Sequence, residues 1–135
     1  MKVNYTQHLA VNTMDIEKSV RFYEDIMGFE KTASADMGDF TLVYMKVNDE
    51  TTMELFDLRG GCTDGILPET QRGIRHIAFD VDSVAEWNAF LKEKGVKFIV
   101  DTVEMPQIGK RAIVVADPDG TVIELCEDME KAKLK

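Results

Sequence analysis

The chain has 135 residues, 44% of them hydrophobic, which is enough for one compact domain or for two half-domains that share a core. Its 25 acidic and 16 basic residues give a formal net charge of −9, which repels phosphate backbones and anionic membrane surfaces. No apolar run is long enough to span a membrane, and the amino terminus lacks a signal-peptide pattern. We therefore expect a cytoplasmic protein that binds neither nucleic acid nor a membrane.

The first part of the chain, residues 1–58, predicts a strand, an amphipathic helix and three further strands. The first strand begins at His8, and the helix runs from Asp15 to Gly28, a residue typical of helix ends. The buried stripe of this helix is predicted from apolar residues at helical spacing: Ile16, Val20, Tyr23 and Met27. The three strands are predicted between turn signals, at residues 29–35, 40–47 and 51–58.

Residues 72–127 repeat this order of elements. A strand begins at His76, and Ser83 and Glu86 form a predicted capping box for a helix that ends at Gly95. The predicted buried stripe of this second helix comprises Val84, Trp87 and Leu91. Three strands follow, at residues 96–103, 111–116 and 121–127. Since one helix cannot cover both faces of its sheet, we expect the two sheets to curl around a shared cleft.

The remaining segments connect or extend the two modules. Residues 59–71 have glycine, proline and polar residues without periodicity, which predicts a linker. Residues 128–135 are predicted to be a charged tail that is exposed to solvent, and their charge needs no functional explanation. Cys62 and Cys126 are too few for a disulfide framework, so we expect reduced thiols.

A histidine and a glutamate recur in equivalent positions of the two modules. His8 opens the first strand of the first module and Glu54 lies in its last strand, while His76 and Glu124 take these positions in the second. A single histidine in an apolar strand is more often a hydrogen-bonded core residue, and a single glutamate there can point to solvent. However, the chain has only two histidines, and both fall on equivalent positions of the repeat. This coincidence favours a divalent metal site with two nitrogen and two oxygen ligands.

These features resemble the vicinal oxygen chelate superfamily over nearly the whole chain. The resemblance rests on the duplicated βαβββ unit with its histidines and glutamates, and on three runs of sequence. They are Asp15-Ile-Glu-Lys-Ser-Val-Arg-Phe-Tyr23, Gly73-Ile-Arg-His-Ile-Ala-Phe-Asp-Val-Asp82 and Asp117-Pro-Asp-Gly-Thr-Val-Ile-Glu124. Within the superfamily the chain looks most like glyoxalase I (lactoylglutathione lyase) and related bacterial glyoxalase-like proteins, and methylmalonyl-CoA epimerases are similar in architecture. The resemblance implies an α+β fold in which tandem βαβββ modules form an incomplete eight-stranded barrel around a metal site.

The resemblance also implies a ligand set and a reaction. His8, Glu54, His76 and Glu124 would bind one divalent ion, and two positions would stay open for water or substrate oxygens. Such ligands suit nickel, zinc, cobalt, manganese or iron(II), and the sequence does not choose among them. The implied reaction is that of a lyase or isomerase, with proton transfer next to a metal-chelated carbonyl via an enediolate. Glu124 is favoured as the base, with Glu54 as the second acid/base residue. A homodimer is expected.

The substrate is not identified by the sequence. Bacterial glyoxalase I has an arginine and an asparagine that hold glutathione, and the matching positions here are Asn12 and Leu58. We expect a small anionic substrate, and four cationic residues could neutralise it: Arg59, Arg75, Lys110 and Arg111.

Two other functions in the superfamily are open alternatives. An extradiol-type dioxygenase uses iron(II) with two histidines and one carboxylate, and Glu54 would then be a surplus ligand. A non-catalytic protein that binds small molecules such as antibiotics would lack the ligand set and would line its cleft with aromatic side chains. The four candidate ligands favour a lyase or isomerase over both alternatives.

Overall fold

The computed structural model describes residues 1–58, 61–62 and 72–129. The chain divides into two compact units, Met1–Gly65 and Ile66–Lys135, and each contains one four-stranded sheet. Most of the predicted linker and all but the first two residues of the predicted tail lie outside the described residues. In the part of the chain that is described, no helix is both long and apolar enough to cross a membrane.

Unit 1 contains a four-stranded sheet and one helix. In chain order its elements are β1 (His8–Thr13), α1 (Ile16–Arg21), a π-helical turn (Phe22–Ile26), β2 (Glu30–Asp36), β3 (Phe40–Lys46) and β4 (Thr52–Leu58). The strand order in the sheet is β1-β4-β3-β2. Strands β1 and β4 are parallel, and the other two pairs are antiparallel.

The end of the first helix departs from the regular α-helix that the sequence predicts. The Met27 N–H donates to the carbonyl of Phe22, five residues earlier, at 3.2 Å, which is the hydrogen bond of a π turn. This wider turn buries the adjacent residues Phe22 and Tyr23 together with Met27. The predicted stripe residues Ile16 and Val20 stay partly exposed. A search for 3.6-residue periodicity assumes a uniform α-helix and so cannot predict this shift of the buried face.

Unit 2 repeats the strand and helix order of unit 1. Its elements are β5 (Ile77–Asp80), α2 (Val84–Glu93), β6 (Lys97–Met105), β7 (Lys110–Ala116) and β8 (Val122–Asp128), with strand order β5-β8-β7-β6. The Ser83 side chain accepts a hydrogen bond from the Glu86 N–H at 3.2 Å, which confirms the predicted start of α2. Strand β8 includes Asp128, the residue at which the sequence pattern places the start of the tail.

Each sheet packs one face against its own helix. Met53 and Leu55 of β4 and Ile123 and Leu125 of β8 are fully buried. Because side chains alternate along a strand, Glu54 and Glu124, which lie between the members of these pairs, point to the opposite side of their sheets. We call this side the helix-free face of each unit. The sheets and helices confirm the predicted α+β class and the repeated order of elements.

Candidate metal centre

The two predicted ligands of unit 1 lie side by side on its helix-free face. Nε2 of His8 is 2.9 Å from Oε2 of Glu54. The pairing of β1 with β4 produces this contact, because Ala10 is opposite Glu54 and His8 precedes Ala10 by two residues on the same face. Nδ1 of His8 is hydrogen-bonded to Oε1 of Gln7. A neutral imidazole that donates through Nδ1 presents a lone pair at Nε2, the form in which histidine binds a metal.

The two predicted ligands of unit 2 have the same geometry. Nε2 of His76 is 2.9 Å from Oε2 of Glu124, and Ala78 is opposite Glu124 in the β5–β8 ladder. The Glu54 and Glu124 side chains are only 13% and 18% exposed. Withdrawing a carboxylate from water is costly unless a hydrogen-bond donor or a cation satisfies it. In each unit the histidine Nε2 is the ring nitrogen that lies at hydrogen-bonding distance from the shielded glutamate.

The spacing within each pair fits two ligands of one divalent ion. Four ligands and two open positions correspond to octahedral coordination, in which bonds of about 2.1 Å at right angles place two neighbouring donor atoms about 3 Å apart. The observed 2.9 Å equally fits a direct hydrogen bond between imidazole and carboxylate. Among the described residues, no three histidine, cysteine, aspartate or glutamate side chains group into a metal site. The binding of one ion by all four residues therefore stays a prediction.

Arg111 and Lys110, which the sequence suggested as anion-binding cations, each form an ion pair with a carboxylate. Arg111 lies on the helix side of its sheet and donates to Glu104 at 2.7 Å and to Glu127 at 2.8 Å. These hydrogen bonds, with that of Glu104 the larger cause, raise the pKa of the Arg111 guanidinium. Glu127 also accepts from the Val84 N–H at 2.9 Å, so the cluster joins the sheet to the start of α2. Arg111 thus joins the sheet to the start of α2 on the face opposite Glu124, in contrast to the anion contact that the sequence suggested.

The other three candidate cations differ in position. Lys110 lies on the helix-free face of unit 2 and forms an ion pair with Asp128, which raises the pKa of the lysine. Arg75 is exposed. Arg59 is outside the described residues. Lys110 and Arg75 remain candidates for contact with an anionic substrate.

An aromatic pair that the sequence pattern did not predict lies on the helix-free face of unit 1. Phe40 and Phe56 stack with ring centroids 5.2 Å apart, and both are half-buried. Leu58 is opposite Phe40, and Asn12 is opposite Phe56, so both departures from the glutathione-binding pattern border this pair. Alternation along β4 could have revealed Phe56, which lies two residues after Glu54.

Cys126 holds the equivalent position in unit 2, two residues after Glu124. Its thiol donates to the Phe79 carbonyl oxygen at 3.7 Å, and burial raises the pKa of this thiol. The thiol is therefore neutral and weakly nucleophilic near neutral pH. Cys62 and Cys126 are both free, as predicted.

Comparison with known proteins places relatives of this chain among both uncharacterised proteins and enzymes. The uncharacterised protein YwkD of Bacillus subtilis is 32% identical over 130 residues, covering 94% of this chain and 99% of that protein. A probable lactoylglutathione lyase of Synechocystis is 28% identical, covering 92% of this chain and 95% of that protein. The mitochondrial methylmalonyl-CoA epimerase of Mus musculus is 27% identical, covering 92% of this chain and 73% of that enzyme.

A solved structure and a family model match this chain as well. The trypanothione-dependent glyoxalase I of Leishmania major superposes with a TM-score of 0.73 at 26% identity, covering 93% of this chain and 87% of that one. The model of the Glyoxalase/Bleomycin resistance protein/Dioxygenase superfamily matches residues 6–125, which include both histidine–glutamate pairs. The chain therefore belongs to the glyoxalase, bleomycin resistance protein and dioxygenase superfamily.

Proposed function

We propose that the chain is a metal-dependent lyase or isomerase of the glyoxalase I type, which moves a proton next to the carbonyl of a small anionic substrate. The observation that supports this most is the repeated pair of histidine and glutamate, at 2.9 Å in both units and at equivalent strand positions. Relatives named lactoylglutathione lyase and methylmalonyl-CoA epimerase add to that support.

The proposed ligands of the divalent ion are His8, Glu54, His76 and Glu124. The ion, when bound, would polarise the substrate carbonyl and stabilise the negative charge that develops when the neighbouring C–H bond is broken. Nickel, zinc, cobalt, manganese and iron(II) all suit this set of nitrogen and oxygen donors. The two imidazoles act as fixed neutral donors.

Glu124 is the proposed base, and Glu54 the second acid/base residue. In the sheet of unit 2, Glu124 lies between Ala78 and Val114 on the neighbouring strands. In the sheet of unit 1, Glu54 lies between Ala10 and Tyr44, which is larger than valine. The smaller neighbours leave more room for a substrate C–H bond beside Glu124. A carboxylate in this position can accept the proton and return it to the adjacent carbon, as general acid–base catalysis requires.

Metal binding by single variants tests the ligand set. The protein, freed of metal and titrated with each of the five ions, should bind about one ion per chain with at least one of them. His8→Ala and His76→Ala should each weaken binding by about 100-fold or more, since each removes a direct donor. Asn12→Ala is the matched control, because Asn12 is exposed on the same strand as His8. A chain that binds no divalent ion, or an Asn12→Ala variant as impaired as His8→Ala, would refute the ligand set.

Activity is tested with glutathione hemithioacetals and with α-substituted acyl thioesters. The expected result is metal-dependent exchange of the substrate's α-proton for deuterium. Consumption of molecular oxygen with turnover would replace this proposal with the dioxygenase alternative.

The assembly is proposed to be a homodimer, and mixing of variants tests how it forms the site. If the four ligands come from two chains, a mixture of His8→Ala and His76→Ala chains regains one intact site per heterodimer. If they come from one chain, every site in the mixture lacks a ligand. Sedimentation that finds only monomers with full metal binding would refute the dimer.

A second candidate function is metal-independent binding of a small aromatic molecule. It is favoured by the stacked, half-buried Phe40 and Phe56 on the face that carries His8 and Glu54. Tight binding of an aromatic ligand to metal-free protein, without turnover when metal is restored, would favour this function over catalysis.

A further inference from the structure

A cavity of about 390 Å³ opens in unit 1 between α1 and the sheet, on the side away from His8 and Glu54. Its apolar lining comes from α1 and β3, through Ile16, Val20 and Val43. Its polar lining consists of Glu17, Arg21, Lys31, Ser34 and Thr41. Ile16 and Val20 are the stripe residues left partly exposed beside the π turn, so the cavity follows from the shift in the buried face of the helix.

The equivalent place in unit 2 is crossed by hydrogen bonds. Asn88, which occupies the position of Val20, donates from Nδ2 to Asp101 at 2.6 Å and to Thr102 at 2.9 Å. Lys92 donates to the same aspartate at 2.8 Å. These four side chains join α2 to β6, and we call them the polar clamp. In the strand pairing of unit 1, the place that Asp101 and Thr102 take in unit 2 is taken by Ser34.

The charges around the unit 1 cavity favour an anion. Arg21 and Lys31 are both exposed, and no ion pair of either is found among residues 1–58, 61–62 and 72–129. Glu17 is the single acidic residue of the lining. The charged residues of the lining therefore sum to a formal charge of +1, whereas the whole chain has a formal net charge of −9. The cavity thus combines an apolar floor with a locally positive edge.

We propose that this cavity binds a small amphiphilic carboxylate, with its apolar part against Ile16, Val20 and Val43 and its carboxylate near Arg21 and Lys31. The volume lies near the lower end of the range of about 300–1,000 Å³ for small-molecule sites, which suits a medium-length acyl chain. Partly exposed valine and isoleucine side chains gain free energy when an acyl chain removes them from water. The guanidinium and ammonium groups provide charge-assisted hydrogen bonds to the carboxylate. This site is independent of the proposed metal centre.

Octanoate titration, followed by the methyl resonances of the full-length protein, tests the site. Saturable shifts are expected at Val20 and Val43, with binding of octanoate at least about tenfold tighter than binding of octanol, and none of octylammonium. Absence of saturable binding would overturn the proposal. Equal affinity for octanol would do the same, because the cations would then have no part in recognition.

Transfer of the polar clamp supplies the matched variant. Val20→Asn combined with Ser34→Asp should abolish octanoate binding and leave divalent-metal binding unchanged. Arg21→Gln and Lys31→Gln should each weaken octanoate binding by about two- to fivefold, as expected for exposed charges, whereas Lys18→Gln on the same helix should not. Unchanged octanoate affinity in the clamp variant would refute the site. A folded clamp variant whose oligomeric state differs from that of the wild type would instead make the cavity an interface between copies, and would also overturn the proposal.

Discussion

The helix-free faces of the two units share one pair of residues and differ around it. Both units place histidine Nε2 2.9 Å from a glutamate oxygen, through the same parallel strand pairing. In the neighbouring antiparallel ladders, β3–β4 of unit 1 places Phe40 opposite Leu58, and β7–β8 of unit 2 places Lys110 opposite Asp128. Equivalent backbone positions thus carry an apolar contact in one unit and an ion pair in the other.

This comparison separates what the fold needs from what a function needs. The βαβββ backbone accepts either an apolar or a charged pair at these positions, so the fold does not demand one residue type there. The histidine and glutamate are the same in both units although neither residue type is demanded by the strand. In the proposed function the repeated pair would bind the metal ion in both units, while the residues around it differ from one unit to the other.

The largest expected effect is on turnover, when one of the two equivalent glutamates is replaced by glutamine. Glu124→Gln should lower kcat by about 10³-fold or more and stop exchange of the substrate's α-proton, because an amide is a very weak base. Glu54→Gln should weaken metal binding and yet retain measurable proton exchange at saturating metal. Deuterium incorporation followed by NMR measures this, with Asp80→Asn on the same face of unit 2 as the control. Exchange that survives Glu124→Gln and is lost in Glu54→Gln would transfer the role of base to Glu54.

The second prediction concerns the buried cores, where the two units are alike. Leu55 of β4 and Leu125 of β8 are both fully buried against a helix. Leu55→Ala and Leu125→Ala should each lower the free energy of unfolding by about 2–5 kcal/mol, because each leaves a cavity that the core fills only in part. Denaturant titration measures the loss, with the exposed Lys18→Ala as the control. A cost below about 1 kcal/mol for either variant would contradict the equivalence of the two cores.

A third test uses double-mutant cycles to compare the stacked aromatic pair around Phe40 in unit 1 with the ion pair of Lys110 in unit 2. The coupling free energy between Phe40 and Phe56, measured with alanine substitutions, should be about 0.5–1.5 kcal/mol and insensitive to salt. The coupling between Lys110 and Asp128, measured with methionine and leucine substitutions, should fall as salt rises from about 0.05 M to about 1 M. Equal salt dependence of the two couplings would show that the pairs do not differ in the way the structure indicates.

The smallest expected effect is on the pH dependence of the polar clamp in unit 2. The Lys92 hydrogen bond, with those from the Thr102 N–H and from Asn88, lowers the pKa of Asp101 from 3.8 to about 2. A carboxyl whose folded pKa is depressed adds stability that is complete above its unfolded pKa and is lost as pH falls through the folded pKa. The stability difference between wild type and Asp101→Asn should therefore be constant above about pH 5 and shrink between about pH 5 and pH 2.

Denaturation midpoints of both proteins across this pH range measure the effect. Asp39→Asn, an exposed position in a turn of unit 1, is the control. A difference that stays constant down to pH 2 would show that the clamp does not hold Asp101 in its charged form.

The sequence by itself predicted the parts of this protein that depend on local pattern. Strand alternation, helical spacing and the Ser83 cap predicted the order of elements and the α+β class, because these signals act over a few residues. The internal repeat identified the two histidines and two glutamates as a candidate site, and each pair lies in contact within its unit.

Only the tertiary structure decided which side chains meet across strands and helices. The π turn, beside which Ile16 and Val20 stay partly exposed, depends on how the end of the helix packs. A regular 3.6-residue spacing carries no information about that packing. Arg111 looked like a possible anion contact in the sequence, but β7 directs it to Glu104 and Glu127 on the opposite face from Glu124. These contacts join residues on different strands and therefore depend on how the strands are aligned with one another. The order of amino acids along a single strand does not specify that alignment.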